Sequence, residues 1–531
     1  MAKKKKLKKF KLHPVTTYVL LVFAVVVLSF LLSIFGVSAS YSTISSSGNN
    51  LIETTVTVTN LLSYDGIKSI ISNAASNFIS FTTLSTLIIT LIGLAVAEVT
   101  GLIQVFMKRK LIKINPKVLT FLLFLIAVFS SIVNEVGYAI LIPLGALLFL
   151  FNGRNPLAGI ATAFAGVAFA YSISFFVGAV DIDLLPYTSK AAWLLQPGFH
   201  VRMTSNLYIM IISCFILAIV GTFITETFVV KKLGRYISKT RDELGETREI
   251  EYLDLQYEEQ KKLDEESQEK KGLKYAMIAG IAVLVAFIYT IIPGLPLSGM
   301  LLNGNEIAYV DQIFGTASYF QDGFTYLLAL FFIVTGIAYG IGAKSIKDDK
   351  ELFTKLGEKL SPLGSILVMI FFASQFVAIF KETNIGTIIC AWLVSLLKTL
   401  PLSGVLLILF AILIIAISNL FMTSTVAKWA IVSPVLVPLM MQLNMSPQFA
   451  QFIFRAGESM TNGITPLLAY FVVYMGYLNI YNKDNEKSFT ISKGISLMMP
   501  YFIGLAITWL FIVLIWYVVG LPLGPNVFPT L

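Results

Sequence analysis

A chain of 531 residues that is 56% hydrophobic, 13% aromatic and only 13% charged, with a mean hydropathy of +0.82, lies outside soluble composition and reads as a polytopic membrane protein. Its formal net charge of +9 is accounted for by Lys and Arg gathered on the cytoplasmic flanks of membrane spans, which argues against nucleic acid as a partner. Cys214 and Cys390 fall in apolar runs, and His13 and His200 have no partners at ligand spacing, so neither a disulfide framework nor a structural metal is expected.

Seven lysines between Lys3 and Lys11 precede an apolar run from Val15 to Val37. The run is long enough to cross a bilayer, so we read it as a retained first span of a multi-pass protein of the cell (cytoplasmic) membrane, its N-terminus cytoplasmic. Ala39 to Ile79 is polar and ends in a surface helix with Ile67, Ile70, Ile71 and Ala74 on one side, which places it outside. Phe81 to Phe106 returns to Lys108-Arg109-Lys110; within it, Glu98 is either a structural carboxylate near the interface or a gating residue. Val118 to Leu150 is too long for one straight span and too short for two with a loop. The interruption from Ser131 to Gly137 predicts a helix broken near its midpoint, with Asn134 and Glu135 at the break. Arg154, Asn155 and Pro156 then mark a turn into a helix of small residues with a polar exit at Ser172, Ser174, Asp181 and Asp183, either a re-entrant hairpin or a full span. Leu207 to Val230 spans again and meets Lys231, Lys232 and Arg235.

Residues 231–274 carry both signs of charge in a helical pattern and read as a cytoplasmic linker between an N-terminal half, 1–230, and a C-terminal half, 275–531. Tyr275 to Ile292 goes outward and Tyr326 to Gly342 returns to Lys344, Lys347 and Lys350. Ser365 to Leu397 is interrupted from Lys381 to Gly386, Val405 to Ile417 follows, and Gly494 to Val519 is the last clear span. With a span needing roughly 20 apolar residues, the expectation is about nine full spans plus two re-entrant pieces.

Between them, Ser418 to Phe471 concentrates polar residues where an apolar chain should have none. Lys428, Arg455 and Glu458 stand there with Asn419, Thr423, Ser424, Thr425, Ser459, Thr461, Asn462 and Thr465, and with Pro434, Pro438, Pro447 and Pro466. An ionised side chain costs about 2.5–3.5 kcal/mol at a helix centre even on insertion scales, so such a cluster marks a water-filled cavity or a segment that does not span. Pro and Gly beside it indicate broken helices, whose freed backbone groups are tolerated only in protein or facing a cavity. A shift of 291 residues carries Gly137 onto Lys428 and aligns the two anomalous regions: Ala139, Ile140, Pro143, Pro156, Ala165 and Gly166 meet Ala430, Ile431, Pro434, Pro447, Ala456 and Gly457. Paired interruptions in corresponding positions point to the central site of a secondary transporter.

The same residues carry a resemblance. SNLFMTSTVAKWAIVSPVLVP with FRAGESMTNGITPLLAYF, EVGYAILIPLGALLFLFNGRNPLAGIATAFAGV, GAVDIDLLPYTSKAAW and NFISFTTLSTLIITLIGLAVAEVTGLI are similar to the p-aminobenzoyl-glutamate transporter (AbgT) family, from about residue 66 to the last span. The resemblance implies an all-α polytopic membrane protein of two inverted-repeat halves with broken helices and two re-entrant helical hairpins. It further implies a homodimer and secondary transport driven by an ion gradient, its members being linked to p-aminobenzoyl-glutamate uptake and to export of sulfonamide-type antimetabolites. Residue by residue, the family's site falls on Asp181, Asn419, Trp429, Pro447 and Arg455. Two departures stand out: Val426 replaces a frequent hydroxyl three residues before the tryptophan, and Glu458 stands for aspartate in the RxGD pattern.

On this reading Arg455 meets a substrate carboxylate through its planar fork, or is neutralised by Glu458 one helical turn on. Trp429 stacks on an aromatic ring or packs as an ordinary tryptophan. Asn419, Ser424, Thr461, Asn462 and Thr465 offer oxygens to a Na+ ion near Asn419 and Asn462, or bond their own backbone. Asp181 is a coupling carboxylate or an inert loop residue, and Asn134, Asn462, Thr465 and Glu458 are further ion-coupling candidates. The expected activity is secondary active transport of a small anionic aromatic amide or antimetabolite coupled to Na+ or H+, with no enzymatic step. A dicarboxylate or amino-acid carrier of related architecture and a passive channel are the alternatives.

Overall fold

The computed structural model describes residues 12–45, 50–111, 113–133, 135–236, 239–241, 247–249, 259–315, 317–482 and 488–531. Helix α1 (Pro14–Ile34) leads into a β-hairpin of β1 (Ser38–Ile44) and β2 (Leu51–Thr57), followed by α2 (Tyr64–Ile79), α3 (Thr82–Val99) and α4 (Leu102–Phe106). Then come α5 (Pro116–Phe129), α6 (Val136–Phe151), α7 (Pro156–Ala168), α8 (Ala179–Trp193), α9 (Leu207–Ile224) and α10 (Val230–Leu233). Two short strands, β3 (Lys239–Arg241) and β4 (Thr247–Glu249), precede α11 (Glu259–Ile291), α12 (Tyr309–Phe314), α13 (Tyr319–Ala343) and α14 (Asp349–Leu360). The chain ends with α15 (Leu363–Glu382), α16 (Ile385–Thr399), α17 (Gly404–Asn419), α18 (Thr425–Gln442), α19 (Pro447–Thr461), α20 (Phe471–Ile480) and α21 (Ile491–Val519).

The helices recur at the interval found in the sequence. Moved by 291 residues, the start of α7 at Pro156 falls on the start of α19 at Pro447, and the end of α6 at Phe151 falls on the end of α18 at Gln442. Both return arms begin alike. Proline occupies the first turn, where its missing N–H costs nothing, and Asn155 or Ser446 caps the helix by accepting from Leu157 N (3.1 Å) or Phe449 N (3.3 Å). Around each hairpin the order is the same: a helix that stops short (α5, α17), a hairpin (α6–α7, α18–α19), a non-helical passage, a short helix (α8, α20) and a long one (α9, α21). Every residue of α7 and of α19 is buried, so the two return arms form the centre of the molecule.

The two hairpins point opposite ways. From Met203 to Leu233 the chain is one apolar helical stretch of 31 residues, roughly 45 Å long at 1.5 Å per residue. At its start Asn206 donates to Gln448 O (3.0 Å), beside the α18–α19 turn. At its far end the carbonyl of Leu233 accepts from Asn155 (3.2 Å), in the α6–α7 turn. The turns therefore lie at opposite ends of a stretch longer than a bilayer is thick. The first is latched by Arg154, which donates to Glu226 Oε1 (2.6 Å) and Thr120 Oγ1 (2.8 Å) and lies over the Phe149 ring. The C-terminal tail covers the second, with Ser446 N bonded to Pro529 O (2.8 Å).

Outside this centre, α3, α11 and α13 pack through small residues. A Cβ on Gly93 would stand 2.7 Å from Ala329 Cα, and one on Gly336 2.9 Å from Ala97 Cα, the close backbone approach typical of membrane helix pairs. Glu98 is tied to Lys359 on α14, a structural carboxylate at this end of α3.

Several details sharpen. Among the described residues, eight helical stretches are long and apolar enough to cross a membrane, one being the hairpin arm α18; α5 and α17 fall short of that length because they stop at the breaks. The polar Ala39–Ile79 segment contains the β1–β2 hairpin, with Ser40 paired to Thr55 and Ser42 to Glu53. The charged linker has no boundary at 274, because α11 runs unbroken from its last acidic stretch into the next apolar one. Asn134 lies outside the described residues.

Candidate functional site

Where the two halves meet, the ends of broken helices bring two ion pairs into the interior. The first is between Arg455 and Asp181. Arg455, in the middle of α19 with no exposed surface, donates to Asp181 Oδ1 (2.6 Å) and to the Ser172 carbonyl (3.0 Å) and touches Met210 Sδ (3.2 Å). Asp181 is no loop residue. It sits in the first turn of α8, accepting from Gly178 N (2.9 Å), where the helix dipole favours an anion. Ser172, whose carbonyl turns toward the guanidinium, has φ +63°, a left-handed conformation rarely adopted by serine. The Arg455 Nε–H has no acceptor among the described residues.

The second pair joins Lys428 of α18 to Glu458 of α19 at 3.2 Å, both without exposed surface. Thr425 Oγ1 donates to the same carboxylate oxygen (2.5 Å), and Lys428 Nζ also donates to Asn419 Oδ1. Asn419, the last residue of α17, sends its amide to the Glu458 carbonyl (3.0 Å), Thr461 Oγ1 (3.1 Å) and Asn462 Oδ1 (2.8 Å), tying the end of one broken helix to the end of another. Such side-chain bonds replace the backbone partners that a stopped helix lacks. Glu458 Oε2 is buried with no partner among the described residues.

Trp429, also without exposed surface, donates Nε1–H to Thr188 Oγ1 (3.0 Å) and packs on Phe454 at 4.6 Å between centroids. It pins α18 to α8 across the halves. Ser459 does the same for α19 by donating to Tyr171 O (2.8 Å). Thr465 donates to Leu420 O (3.0 Å), bridging the two breaks of the C-terminal half.

Several sequence candidates are thus brought together, with corrected partners. Glu458 does not neutralise Arg455, since it is engaged by Lys428 and Thr425 while Asp181 holds the guanidinium. Ser424 is exposed and its side chain makes no capping bond; Thr425, one residue on, turns inward instead. Pro447 begins α19 at the hairpin turn, two helical turns from Arg455, and shapes the turn rather than the charged centre. The oxygen of Asn419 accepts from the Lys428 ammonium and that of Asn462 from the Asn419 amide. Lys428 and Thr425 were legible as polar residues in an apolar run but carried no assigned role. Glu135, at the N-terminus of α6, was read only as marking a break.

Comparison with known proteins bears on this arrangement. A profile described as "AbgT putative transporter family" matches residues 9–531. The p-aminobenzoyl-glutamate transport protein of Escherichia coli (strain K12) is 30% identical over 521 residues, covering 98% of this chain and 94% of that protein. Among solved structures, the Alcanivorax borkumensis YdaH transporter, described as having an unusual topology, is 28% identical, covers 97% of this chain and 100% of that one, and has a TM-score of 0.47. Neisseria gonorrhoeae MtrF, described as illuminating a class of antimetabolite efflux pumps, is 33% identical, covers 98% of each chain and has a TM-score of 0.48.

Proposed function

This chain belongs to the AbgT transporter family, and from that premise we propose that it is a secondary active transporter of the cytoplasmic membrane, moving a small anionic aromatic amide or antimetabolite by alternating access. The observation that carries the reading is the pairing of charges across the halves: Arg455 on α19 with Asp181 on α8, at the meeting of oppositely directed hairpins. Buried ion pairs are a weak source of stability, and hydrophobic replacements are often as stable or more so. Inside a membrane their default meaning is a substrate or ion pathway. An anionic substrate entering from either side competes with Asp181 for the Arg455 fork, and its arrival releases the contact that holds the halves together.

The substrate class follows from the relative's name and from the site. p-Aminobenzoyl-glutamate carries two carboxylates for Arg455 and Lys428, and an aromatic ring for the Trp429–Phe454 pair once Trp429 leaves Thr188. Zero exposure of Arg455, Lys428, Glu458 and Trp429 supports an occluded state of a carrier rather than a continuous channel. Lys108, Arg109 and Lys110 near the end of α3–α4 and Lys231, Lys232 and Arg235 near the end of α9 support a cytoplasmic first hairpin turn and a cytoplasmic N-terminus. The working unit is a homodimer, and the driving force a Na+ or proton gradient.

The test is flux of labelled p-aminobenzoyl-glutamate and of a labelled sulfonamide in vesicles with imposed Na+ or proton gradients, for the wild type and Arg455→Ala. Gradient-driven movement in the wild type, falling at least tenfold in the variant, is expected from loss of a charged hydrogen bond worth about 1.5–3 kcal/mol. Absence of flux for both compounds overturns the substrate class. Undiminished flux in the variant removes Arg455 from the site.

A further inference from the structure

Along one seam the two halves face each other with carboxamides. Gln448, Gln451 and Arg455 share a side of α19, spaced three and four residues apart. Opposite them, Asn206 at the start of α9 and Met210 are also one turn apart. Two rungs join the helices: Asn206 donates to Gln448 O (3.0 Å) and to Gln451 Oε1 (3.2 Å), and Met210 Sδ meets Arg455 (3.2 Å). The three carboxamides are at most 5% exposed. Even so, Asn206 Oδ1, Gln448 Oε1, Gln451 Nε2 and Arg455 Nε have no partner among the described residues.

The bonds themselves fix these orientations. A carbonyl only accepts, so Gln448 O holds Asn206 with its NH2 toward α19, and that NH2 in turn holds Gln451 with its oxygen toward α9. Carboxamides that serve only as ties use both ends in this protein. Asn155 accepts from Leu157 N (3.1 Å) while donating to Leu233 O (3.2 Å), and Asn479 accepts from Phe489 N (2.7 Å) while donating to Met475 O (2.9 Å). In the α9–α19 seam the second ends are left over, and a buried polar atom carries its desolvation penalty until a ligand meets it.

We propose that this seam recognises an N-acyl amino acid, with Asn206, Gln448 and Gln451 reading the amide bond next to the carboxylate that Arg455 takes. The proposal rests on the transport reading and names the part of the substrate that is selected. The leftover atoms match that group in kind: the Asn206 and Gln448 oxygens accept the amide N–H, Gln451 Nε2 donates to the acyl carbonyl, and Arg455 Nε–H donates to the carboxylate. They also match it in spacing. Gln451 and Arg455 stand about 6 Å apart along α19 at 1.5 Å per residue. The amide and the carboxylate flank a single Cα, roughly 3.5 Å of extended chain, and hydrogen bonds of about 2.9 Å close the remainder. Because Nε–H is left over while Asp181 and the Ser172 carbonyl hold the other two nitrogens, a carboxylate reaches the guanidinium before Asp181 releases it.

Calorimetric binding to the purified full-length protein in detergent tests this with p-aminobenzoyl-glutamate and its ester analogue, in which oxygen replaces the amide N–H. The wild type is expected to bind the amide at least tenfold more tightly, because the ester leaves buried oxygens unpaired. Asn206→Leu combined with Gln448→Met removes those oxygens and is expected to bring the two ligands within threefold of each other. If the double variant fails to fold, Gln448→Met alone, which breaks no bond of Oε1, is expected to narrow the ratio at least threefold. Gln451→Met is expected to weaken both ligands alike, since both carry the acyl carbonyl, and Glu98→Gln, outside the seam, to leave affinities and ratio unchanged. Equal binding of amide and ester by the wild type, or a ratio that survives loss of the oxygens, overturns the inference and leaves the transport reading standing. N-benzoylglycine and its ester analogue repeat the comparison without the p-amino group and the second carboxylate. If only this second pair binds, and with the same preference, the substrate of the transport reading falls and the seam's role stands; binding of none of the four overturns both.

Discussion

Arg455 and Asp181 cannot be judged by charge alone, because each is what makes the other tolerable. Removing one leaves its partner ionised and buried, which costs about 3–5 kcal/mol, whereas removing both for apolar residues of similar size is often neutral. Arg455→Met or Asp181→Leu alone is therefore expected to lower the melting temperature sharply, and the double variant to recover most of the loss while still failing to transport. Full recovery of flux in the double variant would make the pair structural. The identities of these residues were legible in the sequence, since a charge in an apolar run is conspicuous. Their partners were not. Glu458 stands one helical turn from Arg455 and looks like its counterion, yet Asp181, 274 positions away, takes the guanidinium with a charged hydrogen bond of 2.6 Å. The inward turn of Thr425 in place of Ser424 is likewise set by which residue at the start of α18 faces α19, and both carry a hydroxyl.

The two hairpins share a plan and differ in their seams. In the first, α6 and α7 touch backbone to backbone: a Cβ on Gly159 would lie 2.0 Å from Gly145 O, and one on Gly145 2.7 Å from Gly159 O. In the second, the corresponding positions, 291 residues on, are Ala450 and Leu436, so α18 and α19 stand where side chains fit between them. Gly159→Ala is expected to force the arms of the first hairpin apart and to reduce the yield of monodisperse protein on size exclusion, although alanine is the better helix former. Ala450→Gly in the second should cost only about 1 kcal/mol of helix propensity. Equal behaviour of the two would show that the hairpins tolerate the same spacing and remove the distinction. At this scale the sequence was informative, because proline at a helix start and polar residues at a break are local signals: the turns at residues 152–155 and 443–446 fall where the 291-residue shift puts them. The β1–β2 hairpin went unread although Ser, Thr and Val alternate on either side of SSSGNN, the ordinary mark of a strand pair. The segment was read only as polar and outside; the ribbon runs along α16, where Trp392 Nε1 donates to Ser38 O (3.2 Å).

At the scale of the whole molecule, the opposite directions of the hairpins could not be read from hydropathy. A repeat is inverted only if an odd number of crossings separates its copies, and breaks such as those after α5 and α17 make the count ambiguous. Hydrogen bonds at the two ends of the Met203–Leu233 stretch resolve it, Asn206 holding one turn and Leu233 the other. The consequence is measurable in intact cells. In a variant with Cys214 and Cys390 replaced by serine, a single cysteine is placed at Gly153, exposed in the first turn, or at Gln442, exposed at the second. Gly153 has φ +64°, so cysteine there costs about 1–2 kcal/mol of backbone strain but meets nothing within 4 Å. A membrane-impermeant maleimide added outside is expected to label Gln442→Cys in whole cells and Gly153→Cys only after the membrane is opened. The assignment of sides comes from Lys231, Lys232 and Arg235 near the Asn155 contact, because basic residues next to short connections stay in the cytoplasm. Labelling of both cysteines from one side would contradict the opposed hairpins. The reverse pattern would keep them and invert the protein in the membrane, exchanging the faces from which substrate and cation enter.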